Sequence, residues 1–554
     1  MRTKRIIATV LAAAMAFTAL TGCKAKQADI QENVVRIRVY DAGYGTDHLN
    51  AIISKFEEAY ADKGYKIVID KANSTFQATA PLTEMSVGFE NNKIDMYYVG
   101  NLTNAHIINE YMKGEDVKTA DLTDVFESAP IQTDGSEGEG TLKDKLIDGI
   151  WEGFQVDLSY AKTQNADYGK YEGKNFVVPF YSQPGGFIMN TEKMEQAGLE
   201  IPKTTNELLA CIDTINDKRE GGDKNFATTY PVSWSGGEAY NYWRAIYDVW
   251  YAQCEGVEAY NDFFTLAGYA DKLKDSYKVY ETDGWKQVYK LMEVLLDDSN
   301  APADTLTMDA VSAQDRLLVG KSVFAPCGAW LKSEMGTEYL TDMEHCMLIK
   351  TPVISQVGVD LKLDGKNGAD KALCEKVLSA VVGLIDERKS TDDIIVEISS
   401  SLGVTLTKEQ VEGVQTARGI YGETFSSGWV VAEDSQSLDI CKLFLRFLAN
   451  DYSIEAMMEL ASATSAFSKG YEYTETGNTF DDSLIEWANL EKRYPIARNT
   501  SATTVRGIKA FGIFENPEWE INFGREVSAG TMTADKYYKS QIDYAKKFCA
   551  ELKE

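Results

Sequence analysis

Two periods of apolar residues alternate along the chain. Short β-branched and apolar runs predict strands over residues 35–40, 65–69 and 94–99. Between and after them, apolar residues recur every three or four positions and predict helices over residues 47–60, 76–89 and 104–112. Strands that alternate with helices through short connections predict an α/β lobe with a mainly parallel sheet.

The same alternation resumes after residue 175, with longer helices. Residues 176–180 form an apolar run that contains Pro179, residues 184–186 predict a turn, and extended structure follows over 187–189. A helix is predicted over 205–215, capped by Thr204 or Thr205. Further helices are predicted over residues 237–254, 284–297, 310–319, 371–387, 407–418, 435–449 and 534–552.

The longest apolar run lies at the start of the chain. Residues 6–20 are apolar and follow Arg2, Lys4 and Arg5, which is typical of an export signal and too short for a membrane span. The signal ends in Leu20-Thr21-Gly22-Cys23, which resembles the lipobox of bacterial lipoproteins. The resemblance implies removal of signal peptide 1–22, a lipid on Cys23 and a flexible tether over 23–34. The alternative is an ordinary secreted protein with a chance cysteine near its cleavage site.

Composition makes several classes of partner unfavourable. The 554-residue chain has a formal net charge of −29, which disfavours nucleic acid and anionic lipid as partners. The seven other cysteines are widely spaced without a CxxC pair, so buried thiols are expected in place of a disulfide framework. Only three histidines occur. No metal or cofactor is therefore expected, and no catalytic motif is present.

Several segments together resemble the extracellular solute-binding proteins of ABC importers, in the carbohydrate-oriented family 1. They are residues 178–181 with 185–190, 201–209, 320–324 with 328–330, and 428–431 with the helix that follows. The chain departs from the family pattern at Met189, where a tyrosine is usual, and lacks the tryptophan usual after Thr205.

This resemblance implies a two-lobed periplasmic-binding-protein-like fold. Each lobe would hold a mainly parallel sheet flanked by helices, and the ligand cleft would lie between the lobes. The chain would cross between the lobes near 178–181 and 347–353. The expected division is residues 35–178 in lobe 1, 179–350 in lobe 2, 351–430 returning to lobe 1 with a helical elaboration, and 431–554 completing both lobes.

Candidate ligand residues follow from the chemistry of sugars, which offer apolar faces to aromatic rings and hydroxyls to polar side chains. Trp330 and Trp429 each follow a glycine near an apolar strand, and Trp234 lies in a Ser/Gly loop. Loops at strand ends or crossings add further candidates: Tyr44, Tyr181, Gln183, Asp41 and Asn101. Tyr240, in the first turn of the helix, is a further candidate. It also begins a stripe with Trp243, Tyr247 and Trp250, and such a stripe is more typical of a core.

We therefore expect a lipid-anchored binding protein on the extracytoplasmic face of the cell membrane. As a monomer without catalytic activity, it would capture a carbohydrate, most simply an oligosaccharide, and deliver it to the permease subunits of an ABC importer. Four alternatives stay open at this point: a surface glycan-degrading enzyme, a glycan-adhesion lipoprotein, a binding protein for a non-sugar solute and a receptor that feeds a sensor in place of a permease.

Overall fold

The fold is taken from a computed structural model. It describes residues 33–39, 44–70, 79–100, 102–115, 117–158, 161–162, 165–237, 240–269, 272–336, 339–423, 427–490, 492–498 and 518–550. Within these ranges, no helix is both long and apolar enough to cross a membrane.

The strands of the described residues are numbered in chain order. They are β1 Val34–Val39, β2 Lys66–Asp70, β3 Met96–Val99, β4 Val178–Pro179, β5 Tyr181–Ser182, β6 Pro184–Asn190, β7 Tyr230–Val232, β8 Ser322–Gly328, β9 Cys346–Ile349, β10 Ile420–Glu423, β11 Gly428–Val431, β12 Thr464–Ser465 and β13 Tyr494–Ile496.

The α-helices of the same residues are numbered in the same way. They are α1 Asp47–Ala59, α2 Thr79–Ser86, α3 Phe89–Asn92, α4 Asn104–Met112, α5 Thr123–Glu127, α6 Ile150–Phe154, α7 Thr191–Ala197, α8 Thr205–Glu220, α9 Arg244–Glu255, α10 Val257–Thr265, α11 Asp283–Leu295, α12 Ala310–Leu318, α13 Leu331–Met335, α14 Leu340–Met343, α15 Gln356–Asp360, α16 Lys371–Asp386, α17 Thr391–Leu402, α18 Lys408–Gly419, α19 Leu438–Phe447, α20 Asp451–Ala461, α21 Thr479–Ala488, α22 Glu518–Ser528 and α23 Ala534–Ala550.

Local capping chemistry explains where several helices begin. Thr204 accepts a hydrogen bond from the Glu207 amide and caps α8, as one of the two predicted caps. Thr103 caps α4 in the same way through the His106 amide. At α1 the cap residue is Thr46, whose side chain makes no capping hydrogen bond. Asp47 lies in the first turn, where its negative charge interacts favourably with the positive end of the helix dipole.

The first sheet has the order β2-β1-β3-β11-β4. Strands β1, β2 and β3 are parallel, whereas β11 pairs antiparallel with both β3 and β4. Four of these five strands thus share one direction, which confirms the predicted mainly parallel sheet. A hydrophobic cluster around this sheet, here called core 1, runs from Val35 to Tyr181 and from Trp429 to Phe467.

The second sheet has the order β13-β10-β6-β8-β7, and β9 also pairs with β6. Of these strands, only β6 runs against the others, because it is antiparallel to β8, β9 and β10, while β7 and β13 are parallel to β8 and β10. Every residue of β6 is buried. Phe187 and Met189 face one cluster (core 2), and Ile188 faces another (core 3). Helices therefore cover both faces of this sheet.

The chain passes between the two sheets at three places in the described residues. It leaves β4, forms β5 and enters β6; it leaves β10 and enters β11; and it leaves β12 on the way to α21. Strands β5 and β12 pair with each other in a two-stranded ribbon at the junction of the lobes. The first passage agrees with the predicted crossing at 178–181.

Two expectations about the lobes differ from the structure. The predicted crossing at 347–353 is wrong, because β9 remains paired with β6 in the second sheet. The expected return of residues 351–430 to lobe 1 also differs, because residues from Val353 to Ile420 pack into core 2. Helices α15 to α18 thus enlarge lobe 2, and the chain rejoins lobe 1 only at β11.

Candidate ligand-binding site between the lobes

Two tyrosine rings meet where lobe 1 reaches the crossing strands. Tyr44 lies shortly before α1, and Tyr181 lies in β5. Their rings stack with centroids 4.7 Å apart and planes inclined by 27°. Both side chains are buried, at 5% exposure each. The start of the segment that leads into α1 is thereby held against the strand that joins the lobes.

A histidine from α1 fixes the second of these rings. His48 Nε2 lies 2.6 Å from the Tyr181 hydroxyl. Burial lowers the pKa of His48 to about 4, against a smaller opposing effect of Asp47. The imidazole is therefore neutral near pH 7, and it can form this hydrogen bond without a buried charge.

A carboxylate from β10 joins the two crossing segments. Glu423 is buried and accepts hydrogen bonds from Ser182 Oγ, at 2.5 Å, and from the Gln183 backbone N–H. Burial raises the pKa of Tyr44, and the negative charges of Glu423 and Glu334 raise it further. A hydrogen bond with the Gln183 side chain acts in the opposite direction and lowers this pKa. The Tyr44 hydroxyl thus stays protonated near two carboxylates.

Lobe 2 contributes a tryptophan to the same junction. Trp330 precedes α13 and packs, half-buried, against residues of both core 1 and core 3. Its ring lies 5.3 Å from that of Tyr242. A Cβ at position 328 would overlap Trp330 Cη2, so Gly328 is required for this ring position. The glycine of the Gly-Ala-Trp segment therefore has a steric role.

A second carboxylate follows one helical turn later. Glu334 accepts a hydrogen bond from Gln314 Nε2, at 2.6 Å, and lies 3.4 Å from the Tyr242 hydroxyl. Burial first, then Cys327 and Glu334, raise the pKa of Tyr242. The junction thus combines flat rings, amides, hydroxyls and carboxylates. These groups can stack on a ligand and hydrogen-bond its hydroxyls.

Among the described residues, no group of three or more metal-ligating side chains converges on one point. The seven cysteines described are free thiols, six of them buried. Burial raises the pKa of Cys211 to about 11, which makes its thiol a poor nucleophile at neutral pH.

Two of the predicted ligand contacts lie in the cores. Trp234 packs in core 2, edge-on to Trp243, and is buried. Trp429 lies in β11, fully buried in core 1 between Tyr98 and Phe180. Packing against neighbouring elements accounts for the positions of both rings, and their predicted contact with ligand stays a prediction.

The predicted core stripe of the aromatic helix is confirmed over its described side chains. Trp243, Tyr247 and Trp250 are buried in core 2. Tyr240 begins the 3-10 turn Tyr240–Trp243 that precedes α9, and its side chain is outside the described residues, as are Asp41, Asn101 and Cys23.

Sequence reasoning missed three polar members of the junction: His48, Glu334 and Glu423. Each lies far along the chain from its partners, and glutamates are abundant in so acidic a sequence. The position of His48 in the first turn after the β1 loop was a usable signal, since that loop was predicted to face the cleft.

Residues 42–293 match the family model described as bacterial extracellular solute-binding protein. Over these residues, somewhat less than half of the chain, the sequence is similar to that family. Comparison with curated protein sequences finds no significant match.

Solved structures of solute-binding proteins share the two-lobed fold of this chain. A probable secreted solute-binding lipoprotein from Streptomyces coelicolor aligns with a TM-score of 0.56 at 10% identity, covering 93% of this chain and 99% of the other. A manno-oligosaccharide-specific solute-binding protein from Bifidobacterium animalis subsp. lactis, in complex with mannotriose, aligns with a TM-score of 0.53 at 12% identity. The alignment covers 94% of this chain and 95% of the other. A chitin oligosaccharide-binding protein aligns with a TM-score of 0.52 at 12% identity, and the alignment covers 94% of this chain and 100% of the other.

Proposed function

We propose that this solute-binding protein captures an oligosaccharide between its lobes and delivers it to the permease of an ABC importer. The observation that carries the proposal is the junction itself, where Trp330 packs against both lobes and Tyr44 stacks on Tyr181 near two carboxylates. The oligosaccharides bound by proteins of the same fold support this choice of ligand.

The mechanism is capture by closure, without bond chemistry. Both lobes contribute rings and polar groups to the junction, so a ligand held there contacts the two lobes at once. Such a ligand favours the form in which the lobes approach each other, and this is the basis of hinge closure. The closed form then docks on the permease.

The proposed location, on the outer face of the cell membrane, rests on the export-signal pattern of residues 1–23. Leu20 to Cys23 support a lipid anchor on Cys23, with residues 23–34 as the tether outside the membrane. Tethering keeps the receptor near its permease and raises the effective concentration for docking. In the producing bacterium, Cys23→Ala is expected to release the protein to the medium with unchanged ligand affinity; a loss of affinity would contradict a passive tether.

A calorimetric screen of oligosaccharides with the mature protein tests the ligand class. Binding of an oligosaccharide is expected, with Trp330→Ala weakening it by roughly 10- to 100-fold, about 1.4–2.8 kcal/mol. Trp330→Phe, which keeps a ring, should retain part of the affinity. The exposed Tyr544 provides a control, since Tyr544→Ala should leave affinity unchanged.

Two results would refute the proposal. Binding confined to amino acids, polyamines or metal chelates would exclude a sugar ligand. Release of shorter sugars from a polysaccharide would show an enzyme in place of an import receptor.

A further inference from the structure

A second interlobe feature lies beside the outer strand of the second sheet. It is a groove of about 240 Å³, here called the β13 groove, lined by Asp148, Gly149, Val257, Lys492, Arg493, Tyr494 and Pro495. The first two residues flank the start of α6 in lobe 1, and the others belong to lobe 2. A ligand in this groove would therefore contact both lobes.

The groove concentrates positive charge in a strongly acidic chain. Arg493 is half-buried and forms no ion pair with any described residue, although the chain as a whole has a net charge of −29. Its neighbour Lys492 is exposed and donates one hydrogen bond, to Gln415 Oε1 at 3.3 Å. The Asp148 carboxylate across the groove is already paired with Lys469 Nζ. Two basic residues thus line the groove, and its one carboxylate has a separate partner.

The position of Arg493 connects the groove to the crossing strands. The positive charge of Arg493 opposes the rise that burial causes in the pKa of Tyr421 in β10 and in the pKa of Tyr473. The Tyr473 hydroxyl accepts a hydrogen bond from the backbone N–H of Ser465 in β12, at 2.9 Å. Through Tyr421 and Tyr473, the Arg493 charge is coupled to the strands that join the lobes.

The remaining walls suit a sugar ring better than a bare anion. Tyr494 is half-buried and offers an aromatic surface, and Val257 and Pro495 offer apolar surface. An arginine recognises a planar carboxylate through paired N–H donors. Together these groups match one ring that carries a carboxylate.

We propose that the β13 groove is a subsite for an acidic sugar residue, with Arg493 and Lys492 binding its carboxylate. This inference rests on the proposed function, and it narrows the ligand class to oligosaccharides that carry a uronic acid.

The test uses pairs of ligands that differ only in charge. Trigalacturonic acid and its carboxyl-reduced neutral form are compared by calorimetry, together with glucuronate, glucose and inorganic phosphate as small probes. The acidic members should bind at least tenfold tighter than the neutral ones, and added salt should reduce the difference. Arg493→Gln should remove the preference, whereas Arg493→Lys should retain part of it. Lys290→Gln, at an exposed lysine of α11 outside the groove, is the matched control.

Each outcome has a distinct meaning. Equal affinity for acidic and neutral partners, or an unchanged preference in Arg493→Gln, would overturn the subsite and leave oligosaccharide capture intact. Tight binding of phosphate but not of glucuronate would also overturn it, as an anion site without sugar recognition. Absence of any oligosaccharide binding would refute the proposed function, while glucuronate binding that depends on Arg493 would still support the groove.

Discussion

At the scale of single residues, burial determines the chemistry of the junction. His48 and Tyr181 form a buried hydrogen bond only because the imidazole is neutral, and the neutral form is a consequence of desolvation. The Gly-Trp context predicted both Trp330 and Trp429 as ligand contacts. Only Trp330 lies at the junction, because Trp429 belongs to a strand that is paired on both edges. A local motif does not reveal how many neighbours its strand has.

The depressed pKa of His48 predicts a loss of stability in mild acid. The unfolded imidazole takes up a proton below about pH 6.5, whereas the folded one does so only near pH 4. The free energy of unfolding should therefore fall by up to about 3 kcal/mol between pH 7 and 4 from this group. Urea unfolding measures it across that range.

A matched pair of variants isolates this contribution. His48→Gln should show a shallower pH dependence than the native chain, because glutamine does not titrate. His345→Gln, at an exposed histidine, should keep the full dependence. Parallel curves for the native chain and His48→Gln would refute the assignment.

At the scale of elements, a buried ion network binds the added helices to lobe 2. Asp386 at the end of α16 accepts two hydrogen bonds from Arg418 in α18, at 3.1 and 2.7 Å, and pairs with Lys350 after β9 at 3.1 Å. Lys350 also pairs with Glu486 in α21. The helical period predicted α16 and α18 closely. Their place in lobe 2 was not predictable, because an amphipathic face does not specify which sheet it covers.

Asp386→Asn is expected to destabilise lobe 2 by about 3 kcal/mol, because it leaves Arg418 and Lys350 buried without their shared anion. Burial acts to raise the pKa of Asp386, but Arg418 and Lys350 outweigh it, and the net pKa is lowered. The stabilisation is thus present at neutral pH and is lost as the pH falls below about 4. Chemical unfolding monitored by circular dichroism measures both effects.

The exposed pair Lys408–Asp392 serves as the comparison for this network. Asp392→Asn should leave the unfolding midpoint unchanged, since exposed ion pairs contribute little. Equal effects of the two substitutions would contradict a structural role for burial at Asp386.

At the scale of the whole molecule, the lobes meet at a glycine. Gly149 of lobe 1 has φ +88°, and a Cβ there would lie 3.0 Å from Pro495 Cγ of lobe 2. Contacts of this kind join residues far apart in sequence, as do those among Tyr44, Tyr181, Trp330 and Glu423. The family resemblance predicted that a cleft exists, whereas the choice of residues that meet there depended on the strand order of both sheets.

Gly149→Ala should shift the protein toward an open form. The added methyl group meets Pro495, so the affinity for the oligosaccharide found by the screen should fall on the order of tenfold. Small-angle scattering at saturating ligand should show a smaller decrease in the radius of gyration than in the native chain.

Gly173 supplies the control for backbone strain. Its φ is +72°, and no atom lies within 4 Å of the position that an alanine Cβ would take, so Gly173→Ala has similar local strain and no interlobe contact. Both variants should lose about 1 kcal/mol of stability. Equal ligand affinity in the two variants would show that the Gly149–Pro495 contact does not govern closure.

The sequence by itself determined the periodic elements, the helix caps such as Thr204 and the family pattern, because these depend on residues close together in the chain. Tertiary structure alone decided the reversed direction of β11 and β6 in their sheets, the assignment of α15 to α18 to lobe 2 and the membership of the junction. These features depend on which distant segments pair and pack, and the same local pattern of apolar residues is compatible with several such pairings.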